Sequence, residues 1–361
     1  MAFVLNSYPV IYRAKYKDNK GWQGSYIVKP HKTPQEEYTL EKKEKDALIN
    51  ARNFFDDMPI VNYSVQYGLS CFEGLKAFPQ KNGGIALFRP EKNAHRFYKS
   101  MEGLYMPPFP EKEFLKACIE TIKQNTELGF FTKFNDQWEK DSFKNADSIY
   151  LRPLTVAEGG VGLNISREPW VMIVTLPVSS YFSVDSFDAV VTDRIRATPK
   201  GTGWIKSASN YVISTLAKYE AQKEGFVEAI YLDSTHRKYV EEGSSSNIFF
   251  LLKSGELVTP ELSDTILGGI TRLSIIELAK DKNLNVKERK ISIDEVISGG
   301  KECFVCGTAA GITPINSITY QGKKIILNNN KTGEFTFEMQ NTLKGIQYGV
   351  LPDTKNWLVK I

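Results

Sequence analysis

Histidine and cysteine are scarce in this 361-residue chain, with three of the first and four of the second. His31, His95 and His236 form no His-x-x-x-His pair and none is matched with a cysteine, so zinc has no ligand set. Cys71, Cys118, Cys303 and Cys306 are too few to staple a chain this long. Cys303-Phe-Val-Cys306 has the spacing of a redox motif, but a thioredoxin-like pair would open a helix. Its aromatic and β-branched neighbours read instead as strand, where positions three apart face opposite sides. Buried core thiols are the expectation there.

Long apolar runs are also missing. Nothing approaches the roughly 20 uninterrupted apolar residues that span a bilayer. The stretch Met1 to Asp18 is broken by Arg13, Lys15 and Lys17 and lacks the pattern of a secretory signal. No block of like charge stands out, and the net charge of +4 is spread along the chain. These absences disfavour nucleic acid and membrane as partners. They point to a soluble cytoplasmic protein. Aromatic residues, by contrast, are abundant, with 21 Phe and 17 Tyr. They suit pockets that hold a flat ring or an apolar side chain.

The length predicts two domains. The charged first sixty residues, with the run Glu36 to Glu44, read as a solvated extension. Strands are expected around Asn82-Gly83-Gly84, at Ser148–Leu154 and at Trp170–Val178. Pro90 opens a helix carrying Ala94, Phe97, Met101 and Leu104 at helical spacing, and a second helix follows Pro110. The polar and aromatic stretch 179–188 reads as a linker. It separates a smaller N-terminal α/β domain, 1–178, from a larger C-terminal domain, 189–361. The second half restarts with strands at Ala189–Ile195, Ala229–Asp233, Asn247–Lys253, Val286–Arg289 and Cys303–Gly307. Helices are expected at Tyr211–Gly225, Ile270–Asp281 and Gly333–Gln347. The class is therefore mixed, α/β or α+β.

Three segments of the second half could carry chemistry. In Gly201-Thr-Gly-Trp-Ile-Lys206-Ser-Ala-Ser-Asn210-Tyr211, small residues let a flat group approach a lysine whose apolar neighbours favour the neutral, nucleophilic amine. The plain alternative is a solvated surface lysine. In Val240-Glu-Glu242-Gly-Ser-Ser-Ser-Asn247, a carboxylate leads through small residues into a strand. It could partner a pyridinium nitrogen, or simply be one of an exposed Glu pair in a turn. Leu267-Gly-Gly269-Ile-Thr271-Arg272 opens a helix and offers backbone N–H groups to a phosphate, though such loops are common. It is no Walker loop, and no Gly-x-Gly-x-x-Gly follows a strand. Lysine, carboxylate and phosphate seat together are what pyridoxal phosphate requires.

Six motifs then resemble the branched-chain amino acid aminotransferases, in order and across most of the chain. They are Tyr67-Gly-Leu-Ser-Cys-Phe-Glu-Gly-Leu-Lys-Ala-Phe78, Phe88-Arg-Pro90 followed by Arg96, Ser148-Ile-Tyr-Leu-Arg152-Pro153, Lys206-x-x-x-Asn210-Tyr211, Glu242-Gly-x-x-x-Asn247-x-Phe249 and Cys306-Gly-Thr-Ala309. The resemblance implies a fold type IV pyridoxal-phosphate enzyme, with the cofactor at the interface of its two domains and a homodimer or larger assembly. It implies transfer of the amino group of leucine, isoleucine or valine to 2-oxoglutarate.

Position by position, Lys206 would carry the cofactor and move the Cα proton. Glu242 would meet the pyridine nitrogen and Tyr211 the phenolic oxygen. Arg96, Ser245, Gly269, Ile270, Thr271 and Thr308 would complete the cofactor site. Tyr67, Arg152 and the backbone of Thr308 and Ala309 would hold the substrate carboxylate, and Phe54, Phe72 and Tyr150 would wall the side-chain pocket. Val161-Gly162-Leu163 would reach in from the partner subunit.

One departure stands out. Some members carry a redox-active Cys-x-x-Cys after the Gly-Thr-Ala segment, and here those positions are Ala310 and Thr313. That switch is expected to be absent. A D-amino acid aminotransferase or aminodeoxychorismate lyase of the same fold, or a non-catalytic binding module, remain as alternatives.

Overall fold

The computed structural model describes residues 5–179 and 187–361. Backbone contacts divide them into two units. The first comprises residues 5–179, Ser207–Ser209 and Gly345–Ile361; the second comprises residues 187–206 and Asn210–Lys344. The expected linker at 179–188 falls mostly on residues 180–186, outside the described residues.

The first unit is built on strands β1 (Val10–Lys17), β2 (Gly21–Val28), β3 (Leu75–Pro79), β4 (Ile85–Phe88), β5 (Ser148–Val156) and β6 (Trp170–Val178). Its helices are α1 (Pro34–Thr39), α2 (Lys42–Arg52), α3 (Tyr63–Tyr67), α4 (Pro90–Gly103), α5 (Glu111–Glu127) and α6 (Gln137–Lys140). The last strand of the chain, Leu358–Lys360, completes an antiparallel seven-stranded sheet beside β4. A second domain running unbroken to 361 does not anticipate this return, because a three-residue edge strand carries no mark of the sheet it joins.

α4 starts at a proline, whose fixed φ suits the first helical turn. α5 starts with Glu111 and Glu113, whose charges favour a helix N-terminus. Phe97, Met101, Phe114 and Ile122 recur at helical spacing and pack with Leu75, Leu87, Leu151 and Ile173 of the sheet. Each such buried side chain contributes about 2 kcal/mol.

The reading of the first sixty residues as a solvated extension is corrected. β1 lies inside the sheet, between β6 and β2. Val10, Tyr12 and Ala14 are buried while Lys15 and Lys17 lie on the opposite face. The fully buried amide of Asn125 on α5 ties this strand down, taking the Val10 N–H at 2.9 Å and donating to its carbonyl at 3.0 Å. The basic residues of β1 had obscured a clean period-2 alternation.

The second unit holds β7 (Phe187–Val191), α7 (Asn210–Lys223), β8 (Glu228–Leu232), β9 (Val240–Gly243), β10 (Asn247–Leu252), β11 (Glu256–Thr259), α8 (Ile270–Asp281), β12 (Asn285–Glu288), α9 (Ile293–Gly299), β13 (Gly300–Gly307), β14 (Gly311–Tyr320), β15 (Lys323–Ile326) and α10 (Glu334–Gln347). Its sheet has nine strands, ordered β12-β11-β10-β13-β14-β7-β8-β9 with β15 on β14. All six residues of β10 are buried. This is why Asn-Ile-Phe-Phe-Leu-Leu reads as one continuous apolar run: both faces of the strand are covered. Ile248, Phe250, Cys303, Val305 and Ile315 fill one core, and Phe249 stacks on Phe304 with ring centroids 5.1 Å apart. Helices and strands mix in both units, and the expected class holds.

Candidate active site

Lys206 lies in the irregular segment ahead of α7, and Asn210 folds that segment. Its side-chain amide donates to the carbonyls of Thr202 and Ile205 at 2.7 and 2.9 Å, while its Oδ1 accepts from the Thr202 hydroxyl at 2.7 Å. The Asn-Tyr pair then starts α7 with Tyr211 turned back on the lysine. Lys206 Nζ donates to Tyr211 Oη at 2.7 Å, and the amine is half-buried. A solvated surface lysine is excluded.

Glu242 is held on both carboxylate oxygens. Its side chain is 3% exposed. Oε1 accepts from Asn247 Nδ2 at 2.8 Å and from the Leu267 N–H at 2.9 Å, and Oε2 meets Arg196 Nε at 2.6 Å. Burial pushes this carboxyl up to about 7, with the Arg196 charge and the Leu267 N–H pulling the other way. The neighbouring Glu241 is also buried and accepts from the Thr265 hydroxyl at 2.6 Å. An exposed Glu pair is therefore excluded as well.

Asn247 also donates to the Leu267 carbonyl at 2.8 Å, fastening β10 to the loop before α8. A Cβ at Gly269 would lie 1.9 Å from Asn247 Oδ1, so that close approach requires glycine. Gly269 caps α8 without a side-chain hydrogen bond, and Ile270 and Thr271 of the first turn are buried. A helix start of this kind leaves backbone N–H groups for an anion. Thr308 and Ala309 form the half-buried turn between β13 and β14. A Cβ at Gly307 would lie 3.9 Å from Ser246 Cβ, which sets this turn beside the 243–246 turn. Ser245, in that second turn, is exposed. Cys303 and Cys306 are free and buried on β13, and burial pushes both thiols up, as inert core groups.

In the first unit, Arg152, Tyr150 and Phe72 come together. Arg152 Nη2 donates to Tyr150 Oη at 2.9 Å and its guanidinium lies 4.6 Å from the Phe72 ring centroid. Gly74 makes room for Tyr150, since a Cβ there would stand 2.1 Å from its Oη. Among the described residues Arg152 has no carboxylate partner, and its Nε is buried without a hydrogen bond.

Arg96 instead faces a buried acid, giving Nε and Nη2 to Glu73 at 2.7 and 2.8 Å. Tyr67 Oη accepts from the Gly162 N–H at 3.1 Å, joining α3 to the exposed Val161–Leu163 loop. Phe54 is 65% exposed, while its neighbour Phe55 packs against the cluster of Val156, Trp170 and Met172.

Sequence reasoning gave no role to Arg196, Asn247 and Glu73, which the structure sets against Glu242, Glu242 and Arg96 respectively. Asn247 and Glu73 stood inside quoted motifs but received no role. Arg196 sits in Arg-Ala-Thr-Pro, where nothing but its distance of ten residues from Lys206 could have drawn notice.

Comparison with known proteins places this geometry. The family model for amino-transferase class IV matches residues 70–318. A probable branched-chain-amino-acid aminotransferase of Staphylococcus aureus (strain N315) is 39% identical over 309 residues, covering 82% of each chain. Branched-chain-amino-acid aminotransferase 2 of Bacillus subtilis (strain 168) is 38% identical over 306 residues, covering 82% of this chain and 80% of its own. The crystal structure of the branched-chain amino acid aminotransferase of Thermobaculum terrenum, in its PLP form, superposes with a TM-score of 0.74 at 25% identity, covering 98% of both chains. The chain belongs to the class IV aminotransferases, which are pyridoxal-phosphate enzymes, and among them to the branched-chain amino acid aminotransferases.

Proposed function

We propose that this enzyme moves the amino group of L-leucine, L-isoleucine or L-valine to 2-oxoglutarate, reversibly, with Lys206 as the residue that binds pyridoxal phosphate and carries the proton. The observation that carries this reading is the Glu242 arrangement: a buried carboxylate, held by an arginine, an amide and a backbone N–H, under the electrostatic influence of Lys206. Such a carboxylate is costly to bury without a cationic or N–H partner, and a protonated pyridine ring is one. The uncapped start of α8 suits a phosphate, and the Lys206–Tyr211 pair suits the aldehyde end. These residues fit the group.

When bound, pyridoxal phosphate supplies the electron sink that makes the Cα proton of an amino acid removable. The rest falls to the chain. Lys206, with its amine steered by Tyr211, would take the Cα proton and return it to the carbon on the far side of the substrate nitrogen. Arg96, Ser245, Gly269, Ile270, Thr271 and Thr308 seat the phosphate. Tyr67 and the backbone of Thr308 and Ala309 receive the α-carboxylate. Phe72 and Tyr150 line the apolar pocket. Arg152 stacks on that aromatic wall and has hydrogen-bonding capacity to spare, which suits it to the second carboxylate of 2-oxoglutarate. One pocket thereby accepts an apolar and an acidic side chain in turn.

A homodimer is part of the proposal. Ile60, Val65, Val161 and Leu163 of the first unit are 89%, 74%, 79% and 90% exposed, and the Gly160–Val61 and Gly162–Tyr67 hydrogen bonds join their loops. An apolar group of this kind suits a second copy of the chain, with Val161–Leu163 reaching the partner. The four cysteines, free and buried, support a reducing compartment, the cytoplasm. No helix among the described residues is long and apolar enough to cross a membrane.

The test is a panel of amino donors with 2-oxoglutarate on the purified protein. Glutamate should form from L-leucine, L-isoleucine and L-valine. Turnover of D-alanine or aminodeoxychorismate in their place would overturn the substrate assignment.

A further inference from the structure

Arg196 draws three separate segments of the second unit onto one guanidinium. Its side chain is 6% exposed. Nε meets Glu242 Oε2 at 2.6 Å, Nη1 donates to the Thr265 carbonyl at 2.6 Å, and both Nη1 and Nη2 reach the Gly203 carbonyl at 3.3 Å. Gly203 lies three residues before Lys206. Thr265 lies two residues before Leu267, whose N–H holds the other oxygen of Glu242. One planar fork thus connects the lysine segment, the acid and the loop that opens α8.

We propose that Arg196 is a positioning residue for transamination, holding Glu242 as an aimed carboxylate against the pyridine nitrogen and setting it in register with the Lys206 segment. The inference rests on the reading of Glu242 as the partner of that nitrogen. Its physical basis is the cost of burying a carboxylate. Without a cation beside it, a carboxyl this deep takes up a proton. The other charged and titratable groups acting with it do not replace Arg196. Glu241 next to it opposes ionisation, Lys206 favours it only as a lesser influence, and Cys306 is a buried neutral thiol. Loss of Arg196 would move one proton from the ring nitrogen to Glu242, leaving both groups neutral and weakening the electron sink. Lysine cannot stand in fully, because a point charge has no fork to engage Glu242 and two carbonyls together.

The experiment uses the holoenzyme and its Arg196→Met, Arg196→Lys and Glu242→Gln variants. Three quantities are read: cofactor fixed to Lys206 by borohydride, the 15N signal of ring-labelled pyridoxal phosphate, and kcat and KM for leucine. In the unsubstituted enzyme the nitrogen should be protonated. Arg196→Met should keep the cofactor on Lys206, move the nitrogen signal to the unprotonated range, and lower kcat ~100-fold, an effect typical of losing one preorganised electrostatic contact. KM should stay within about threefold, since ground-state binding is untouched. Arg196→Lys should keep the nitrogen protonated with kcat down roughly tenfold. This variant also serves if the methionine one does not fold, because an unchanged kcat in it contradicts the proposal.

A protonated nitrogen and near-normal kcat in Arg196→Met would overturn the role of Arg196 alone. A protonated nitrogen in Glu242→Gln would instead overturn the underlying reading of Glu242.

Discussion

Glu73 and Arg96 are joined by two parallel hydrogen bonds, Nε to Oε1 at 2.7 Å and Nη2 to Oε2 at 2.8 Å, around a carboxylate with no solvent exposure. Asn93 adds its amide at 2.8 Å and the Gly74 N–H a fourth bond at 3.1 Å. The acid aims the arginine proposed to hold the phosphate. Glu73→Gln should therefore destabilise the fold by about 3 kcal/mol, as expected when one partner of a buried pair is lost. It should also weaken pyridoxal phosphate more than pyridoxal, which lacks the phosphate. Equilibrium binding of the two compounds checks this. Equal loss for both would mean that Glu73 acts on the fold alone.

Arg152 should separate the two half-reactions. Arg152→Ala removes the guanidinium that stacks on Phe72 and bonds Tyr150 Oη. We expect kcat/KM for 2-oxoglutarate to fall ~100-fold, the scale of a lost charge-assisted contact, and that for leucine by less than about fivefold. Stopped-flow measurement of each half-reaction gives the ratio. Equal losses would refute a selective role.

The pH dependence of the cofactor-free protein carries a signature of Glu242. In the folded chain its carboxyl is raised from 4.5 to about 7, chiefly by burial. Between these values the folded state keeps a proton that the unfolded chain has released. Stability therefore falls as pH rises through this window and levels off above it. The total loss across the window amounts to at most about 3 kcal/mol. Glu242→Gln abolishes this contribution, so melting curves of the two proteins should diverge from pH 5 to 7.5, with the unsubstituted one losing more. Parallel curves would show that Glu242 is ionised throughout.

Arg52 anchors the N-terminal segment. It has no solvent exposure, donates to the carbonyls of Ser7 and Pro30 at 2.9 and 3.0 Å, and pairs with the buried Glu37. Arg52→Met leaves that carboxylate without its cation, and urea unfolding should show a loss of about 3–5 kcal/mol. Adding Glu37→Gln should restore part of it. A single substitution costing under about 0.5 kcal/mol would place the pair among weak surface contacts.

Much of this architecture was legible because its periodicities are clean. Ile270–Asp281 and Trp170–Val178 are bounded as the pattern predicts, one by a Gly-Gly start and the other by a continuous apolar run between polar ends. Lys206 and Glu242 stood out through their small neighbours and motifs, and the structure gives each a polar partner. β1 was misread because Arg13, Lys15 and Lys17 occupy one face of a strand whose other face is core. Arg196 was invisible for a different reason. Its importance comes from two backbone carbonyls and an acid 46 residues away, and no local pattern encodes such a meeting. Phe54 lies outside the six motifs that carry the resemblance, and within this chain its side chain is 65% exposed.

The most direct measurement is chemical. Reducing the loaded enzyme with borohydride and mapping the modified peptide by mass spectrometry should place a single phosphopyridoxyl group on Lys206, and Lys206→Ala should take up none covalently. A label on another lysine, or none at all in an enzyme that still transaminates leucine, would contradict the account at its root.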